Sequence, residues 1–92
     1  MKPLRWNAEK SLALKAERGV SFEEVLSAIS QGGLLSVMDH LNRTKYAHQK
    51  MLAVRIQDYV YLVPCVESDA EIFLKSMIPS RKATKRFLPG EK

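Results

Sequence analysis

A chain of 92 residues has room for one compact domain and is too short for two ordinary ones, so residues 1–92 are read as a single domain. Hydrophobic residues make up 46% of it, enough for a core, yet no apolar run approaches the ~20 residues that span a bilayer. The formal charge of +5 is unevenly placed: from Met1 to Leu74 nine bases meet nine acids, whereas Lys75 to Lys92 holds six bases against Glu91 alone. A local excess of this kind marks a surface for an anion, and a nucleic-acid backbone is the strongest candidate. A solvated basic tail is the plainer alternative. Met1 to Trp6 lacks the apolar centre of a signal peptide, so a cytoplasmic location without membrane contact is expected. The single Cys65 excludes an intramolecular disulfide and a cysteine cluster for zinc.

In chain order, Leu4-Arg5-Trp6 reads as a short strand, and Asn7 suits the N-cap of a first helix. Ala8, Leu12, Ala13 and Ala16 form the apolar stripe expected to face the core. Gly19, just after Lys15 and Arg18, accepts the left-handed conformation that ends such a helix. Ser21-Phe22-Glu23-Glu24 has the S-x-x-E pattern of a capping box. Phe22, Val25, Leu26 and Ile29 follow at the spacing of one buried helical face, and Gly32-Gly33 ends the second helix.

From Leu34 the period changes to that of strands. Leu34 to Met38 is expected to be a strand and Asp39 to His48 a polar loop. A strand over Met51 to Gln57 places Leu52, Val54 and Ile56 on one face and Arg55 on the other. Gln57-Asp58 offers a tight turn into Tyr59 to Val63, which is apolar on both faces and therefore expected at the sheet centre. Pro64 marks its end or a bulge. Ala70 to Ile78 reads as one last long strand.

Pro79 closes that strand, and Ser80 can cap a short basic helix. Its cations fall in two i,i+4 pairs, Arg81 with Lys85 and Lys82 with Arg86. Like charges at that spacing repel mildly, which suits a helix that faces an anion. The expected fold is α+β: a small antiparallel sheet with two N-terminal helices and a short C-terminal basic helix.

Among chemistry-bearing residues, His40 and His48 flank the 41–47 loop and lack a third ligand at metal-site spacing, so no metal or other cofactor is expected. The acids are scattered, and neither a G-x-S-x-G elbow nor a phosphate-binding G-x-x-x-x-G-K-[ST] loop is present. Cys65 lies in an apolar strand, where a thiol acts as a small hydrophobe. RNA carries its own nucleophile in the 2′-hydroxyl. Cleaving it needs only a grip on the scissile phosphate, charge compensation and assisted proton transfer. Arg81 suits the grip because its planar fork can make two hydrogen bonds to a phosphate. Lys75, Lys82, Lys85 and Arg86 would add positive field, with Arg55 a further candidate phosphate contact. His40, His48, Tyr46 or Tyr61 would stack on a base or exchange protons, although Tyr61 on a central strand reads first as core.

Three blocks carry a family resemblance: Trp6-Asn7-x-x-Lys10, Glu17-Arg18-Gly19-Val20-Ser21-Phe22-Glu23-Glu24, and Pro79-Ser80-Arg81-Lys82-Ala83-Thr84-Lys85-Arg86. Together they resemble the BrnT family, in the same order and across nearly the whole chain. Asn7 stands where the family has aspartate, and Arg18 where it has histidine. Ser76 occupies the position of a family arginine, with Lys75 one place away. The resemblance implies a fold similar to RelE and ParE toxins and a type II toxin that cleaves RNA. It implies neutralisation by a BrnA-like antitoxin with a ribbon-helix-helix DNA-binding domain, through which alone operator DNA would be contacted. It carries Lys10, Arg81 and Lys82 over as catalytic residues. The alternative is a non-catalytic module that binds nucleic acid or protein, including a ParE-like topoisomerase inhibitor.

Overall fold

The structure is a computed structural model that describes residues 2–39 and 49–88. Among these residues the order is β1 (Leu4–Arg5), α1 (Ala8–Arg18), α2 (Phe22–Ser30), β2 (Leu34–Asp39), β3 (Gln49–Ile56), β4 (Tyr59–Glu67), β5 (Ile72–Leu74), β6 (Ile78–Pro79) and α3 (Arg81–Phe87). The strands form one sheet in the order β1-β5-β4-β3-β2, with β6 also paired to β4. The chain is thus a small α+β domain. The sheet is mixed rather than wholly antiparallel, because β1 runs parallel to β5. No hairpin joins those two strands, so nothing local forces them to oppose.

The N-terminal helices start and stop where side chains satisfy loose backbone groups. The Asn7 side chain accepts the Lys10 N–H, Gly19 takes a left-handed φ of 78°, and Ser21 and Glu24 form the reciprocal capping box. The expected stripe on α1 is corrected: Ala8, Leu12, Ala13 and Ala16 are all exposed, Leu12 to 73%. Ser11 and Leu14 are buried instead. The Ser11 hydroxyl donates to Glu23 Oε1 at 2.6 Å and accepts the Phe22 N–H at 3.0 Å. A buried hydroxyl with both partners in place costs little, and alanines that could face inward offer little apolar area against it. On α2 Phe22 and Val25 are fully buried, whereas Leu26 is 41% exposed and leaves the expected stripe.

Two cores lie on opposite faces of the sheet. Leu14, Phe22 and Val25 pack with Leu52, Val54, Val63, Cys65, Leu74 and Met77 beneath α1 and α2. Ala53 and Val60 alternate with these strand residues and meet Ala83 of α3, with Leu35, Met38, Leu62, Phe87 and Leu88 around them. No described helix is long and apolar enough to cross a membrane.

The expected central position of β4 holds, but it does not end at Pro64. The strand continues to Glu67, and the irregularity falls in its neighbour. The Pro64 carbonyl accepts the Lys75 N–H at 2.8 Å, so its donor-less nitrogen faces the same side. There the chain bulges: Cys65 pairs with Leu74 and Leu62 with Ile78, so three steps along β4 oppose four on the partner. The single strand expected over Ala70 to Ile78 is therefore two short ones, β5 and β6. Gly33 explains a second close approach: its N–H donates to Ala28 O at 2.7 Å and its carbonyl accepts the Arg55 N–H at 2.8 Å.

Two predictions test these local devices. A Cβ on Gly33 would lie 2.7 Å from Arg55 O and 2.8 Å from Ala28 O, both rigid backbone. Gly33→Ala should cost about 1–3 kcal/mol in urea unfolding, as overpacking does. The Glu24 carboxyl titrates below its ordinary 4.5, first because Lys15 hydrogen-bonds to it and then because the Ser21 N–H does. Its contribution is present above the ordinary value and is lost as pH falls through the lower folded value. Glu24→Gln should flatten the acid limb of melting temperature against pH.

Candidate nucleic-acid interface

The basic helix is held to the sheet by its uncharged residues. Ser80 Oγ accepts the Ala83 N–H at 3.0 Å, and the Ser80 N–H donates to Val60 O at 3.1 Å. Thr84 Oγ1 donates to Ser80 O at 2.7 Å and accepts the Val60 N–H at 2.9 Å. Ala83 is buried against the second core. With the inward direction fixed by Ala83, the 100° step per residue aims Arg81 and Lys85 straight outward and puts Lys82 and Arg86 on one flank. All four are exposed.

That flank meets β2. Lys82 and Arg86 line a groove of about 160 Å³ with Met38, Leu62, Ser80, Ala83 and Phe87. The Arg86 guanidinium lies 5.6 Å from the Phe87 ring centroid. Lys75, which follows β5 inside the bulge, lies over Phe73 at 5.8 Å. None of Lys75, Arg81, Lys82, Lys85 and Arg86 has an acidic partner among the described residues. Several cations elsewhere do: Lys2 meets Glu67 at 2.8 Å, Lys15 meets Glu24 at 2.9 Å and Lys50 meets Asp39 at 3.1 Å. Four cations outside the C-terminal segment, Lys2, Lys15, Lys50 and Arg55, are thus balanced locally, whereas on α3 none of the four is, among the described residues.

The structure does not bring every expected site residue to this helix. Lys10 lies in the first turn of α1, and the sheet separates the α1 layer from the α3 layer. The Arg55 guanidinium is committed to the β3–β4 hairpin, donating to Gln57 O at 2.9 Å and standing 3.7 Å from Asp58. Tyr61 is half-buried against the first core. His40, Tyr46 and His48 lie outside the described residues. Cys65 is buried, and its thiol is pushed up to about 11, first by burial and then by the Glu67 charge. It is a packed hydrophobe, not a nucleophile. Among the described residues no group of three His, Cys, Asp or Glu side chains is placed to hold a metal ion.

One residue gains a role that its sequence position only hinted at. Arg18, the last residue of α1, donates through Nη1 to Met77 O inside the bulge. It therefore stands at the β6 edge, a few residues before Arg81. The hint was a cation directly ahead of the helix-ending Gly19, where the chain must turn back toward the sheet.

Comparisons with protein families, curated proteins and solved structures return no match.

Because Thr84 carries the hydrogen bond from Val60, Thr84→Val would leave that backbone donor without its partner. The substitution should cost about 1–3 kcal/mol of stability. Hydrogen exchange should show faster exchange at Val60 and Ala83, while the α2 amides keep their protection.

Proposed function

We propose that this chain is the toxin of a type II toxin–antitoxin system. In this reading it is a RelE/ParE-like, metal-independent endoribonuclease neutralised by a BrnA-like antitoxin that alone contacts operator DNA. The observation that carries it is the outward cation face of α3, which lacks acidic partners among the described residues. The three BrnT-like blocks support it, with Arg81 and Lys82 in the third.

The chemistry follows from RNA itself. The 2′-oxygen attacks the adjacent phosphorus while the bond from phosphorus to the 5′-oxygen breaks, leaving a 2′,3′-cyclic phosphate and a 5′-hydroxyl. The 2′-hydroxyl proton passes to a base, and the departing 5′-oxygen takes one from an acid. Arg81 grips the scissile phosphate and offsets charge on its non-bridging oxygens, a role that weighs most in the transition state. Lys82, Lys85 and Arg86 hold the flanking phosphates. His40 or His48 carries the proton transfers, because an imidazole titrates in the useful range. Lys10, which the resemblance also carries over as catalytic, lies on the face of the sheet opposite α3 and takes no part in this grip.

A second reading needs less: the exposed cations of α3 require no proton-transfer partner to bind an anion. A non-catalytic nucleic-acid- or protein-binding module, including a ParE-like topoisomerase inhibitor, would use the same face.

Induction of the wild type in cells lacking an antitoxin, followed by RNA profiling, separates the two. The enzyme should arrest growth and shorten RNA, and Arg81→Ala at unchanged melting temperature should relieve both. Binding to single-stranded RNA should lose about 0.7 from its log–log salt slope for each phosphate contact removed. Full toxicity in Arg81→Ala would overturn the role of that residue. Arrest with intact RNA and a DNA-damage response would support the topoisomerase alternative.

A further inference from the structure

A cleft distinct from the α3 face opens on the other side of β4. It has a volume of about 390 Å³ and lies between the α1–α2 turn and the β3–β4 hairpin, with Arg18, Glu24, Gln57, Asp58, Tyr59 and Tyr61 among its lining. That volume falls within the ~300–1,000 Å³ of small-ligand sites. Tyr59 and Tyr61 project from the same face of β4, with ring centroids 5.8 Å apart and planes at 68°. In such an edge-to-face pair one ring keeps a face for a third aromatic group. Tyr61 leans on the first core, which makes Tyr59 the outer ring.

The charges of the cleft are settled from outside it, except one. Glu24 is countered by Lys15, and Asp58 stands 3.7 Å from Arg55. Arg18, which lines the cleft, gives one N–H to Met77 O and has no acidic partner among the described residues, so most of its guanidinium donors are unspent. The Gln57 side chain, with a donor and an acceptor, makes no hydrogen bond within the described residues. An aromatic face, a guanidinium and an uncommitted amide are what an unstacked nucleobase and its phosphate need.

We infer that this cleft is a nucleobase subsite: Tyr59 stacks on a base of single-stranded RNA, Gln57 reads its edge and Arg18 holds the adjoining phosphate. The inference rests on the proposed RNA substrate and extends it, by assigning base recognition to a place separate from the phosphate grip. The two are adjacent. Val60, between the tyrosines, is hydrogen-bonded to Ser80 and Thr84, so Arg81 begins beside Tyr59 at the β6 edge. A strand that rounds this edge would lay phosphates on α3 and turn one base into the cleft.

The test uses a short single-stranded RNA, 2′-O-methylated to prevent cleavage and carrying 2-aminopurine. Stacking on the wild type should quench its fluorescence. Tyr59→Ala should abolish the quench and weaken binding about 5- to 150-fold, matching ~1–3 kcal/mol per stacked base. Tyr59→Phe should keep both. Arg81→Ala should weaken binding yet leave the quench at saturation. Because Tyr59→Ala could fail to fold, the wild type labelled with 3-fluorotyrosine provides a second measurement. Of its three tyrosine resonances, those of Tyr59 and Tyr61 should shift on adding this RNA. Binding that leaves both resonances in place, or that Tyr59→Ala retains with full quench, overturns the subsite while the RNA reading stands. A folded wild type that binds no RNA overturns the reading, and the subsite with it.

Discussion

A proline with no backbone donor sits in the middle of the central strand, and the course of the last third of the chain depends on it. A sheet interior tolerates such a residue only where the neighbour can do without its hydrogen bond. Here the neighbour leaves the ladder with one extra residue opposite Pro64. The bulge divides β5 from β6, buries Met77 in the first core and presents its carbonyl to Arg18. Beyond it β6 is a two-residue edge strand, short enough for Ser80 to turn the chain onto the other face. The basic helix starts where it does because the sheet was interrupted just before.

The three sequence blocks around Trp6, Ser21 and Arg81 are spent largely on architecture. Trp6 donates to Glu23 Oε2 at 3.3 Å and its ring lies 6.1 Å from that of Phe22, so the first block rests on the second. Asn7, Gly19, Ser21 and Glu24 are caps. In the third block Ser80, Ala83 and Thr84 dock the helix, and the charged residues between them project outward. Charged side chains can all be left facing outward on a docked helix when uncharged neighbours at fixed spacing carry the docking. A motif of this kind mixes two jobs, and the structure separates them.

Electrostatics gives the domain its polarity. Elsewhere on the described surface Lys2, Lys15, Lys50 and Arg55 are each answered by a nearby acid, and exposed pairs of that sort add little stability. On α3 the acids are missing among the described residues, and like charges sit one turn apart. Such a surface is mildly unfavourable by itself and becomes favourable when phosphates occupy it. The Arg18 cleft follows the same pattern on a smaller scale, with its acids already neutralised by cations that lie outside it.

The sequence by itself determined the helix ends, the strand of alternating Leu52, Val54 and Ile56, the central place of β4 and the capped basic helix with its charge. Each of these rests on interactions within a few residues: a cap, a left-handed glycine, a period of two, a proline and a serine. The tertiary structure alone decided which face of α1 is buried, because Ser11 finds its partners in α2, at Phe22 and Glu23. It decided that the last strand breaks, since the missing donor belongs to Pro64 and the bulge to residues some ten positions later. It also placed Lys10 away from α3 and Arg18 beside the β6 edge. Long-range partners set those outcomes, and no local period or spacing encodes them.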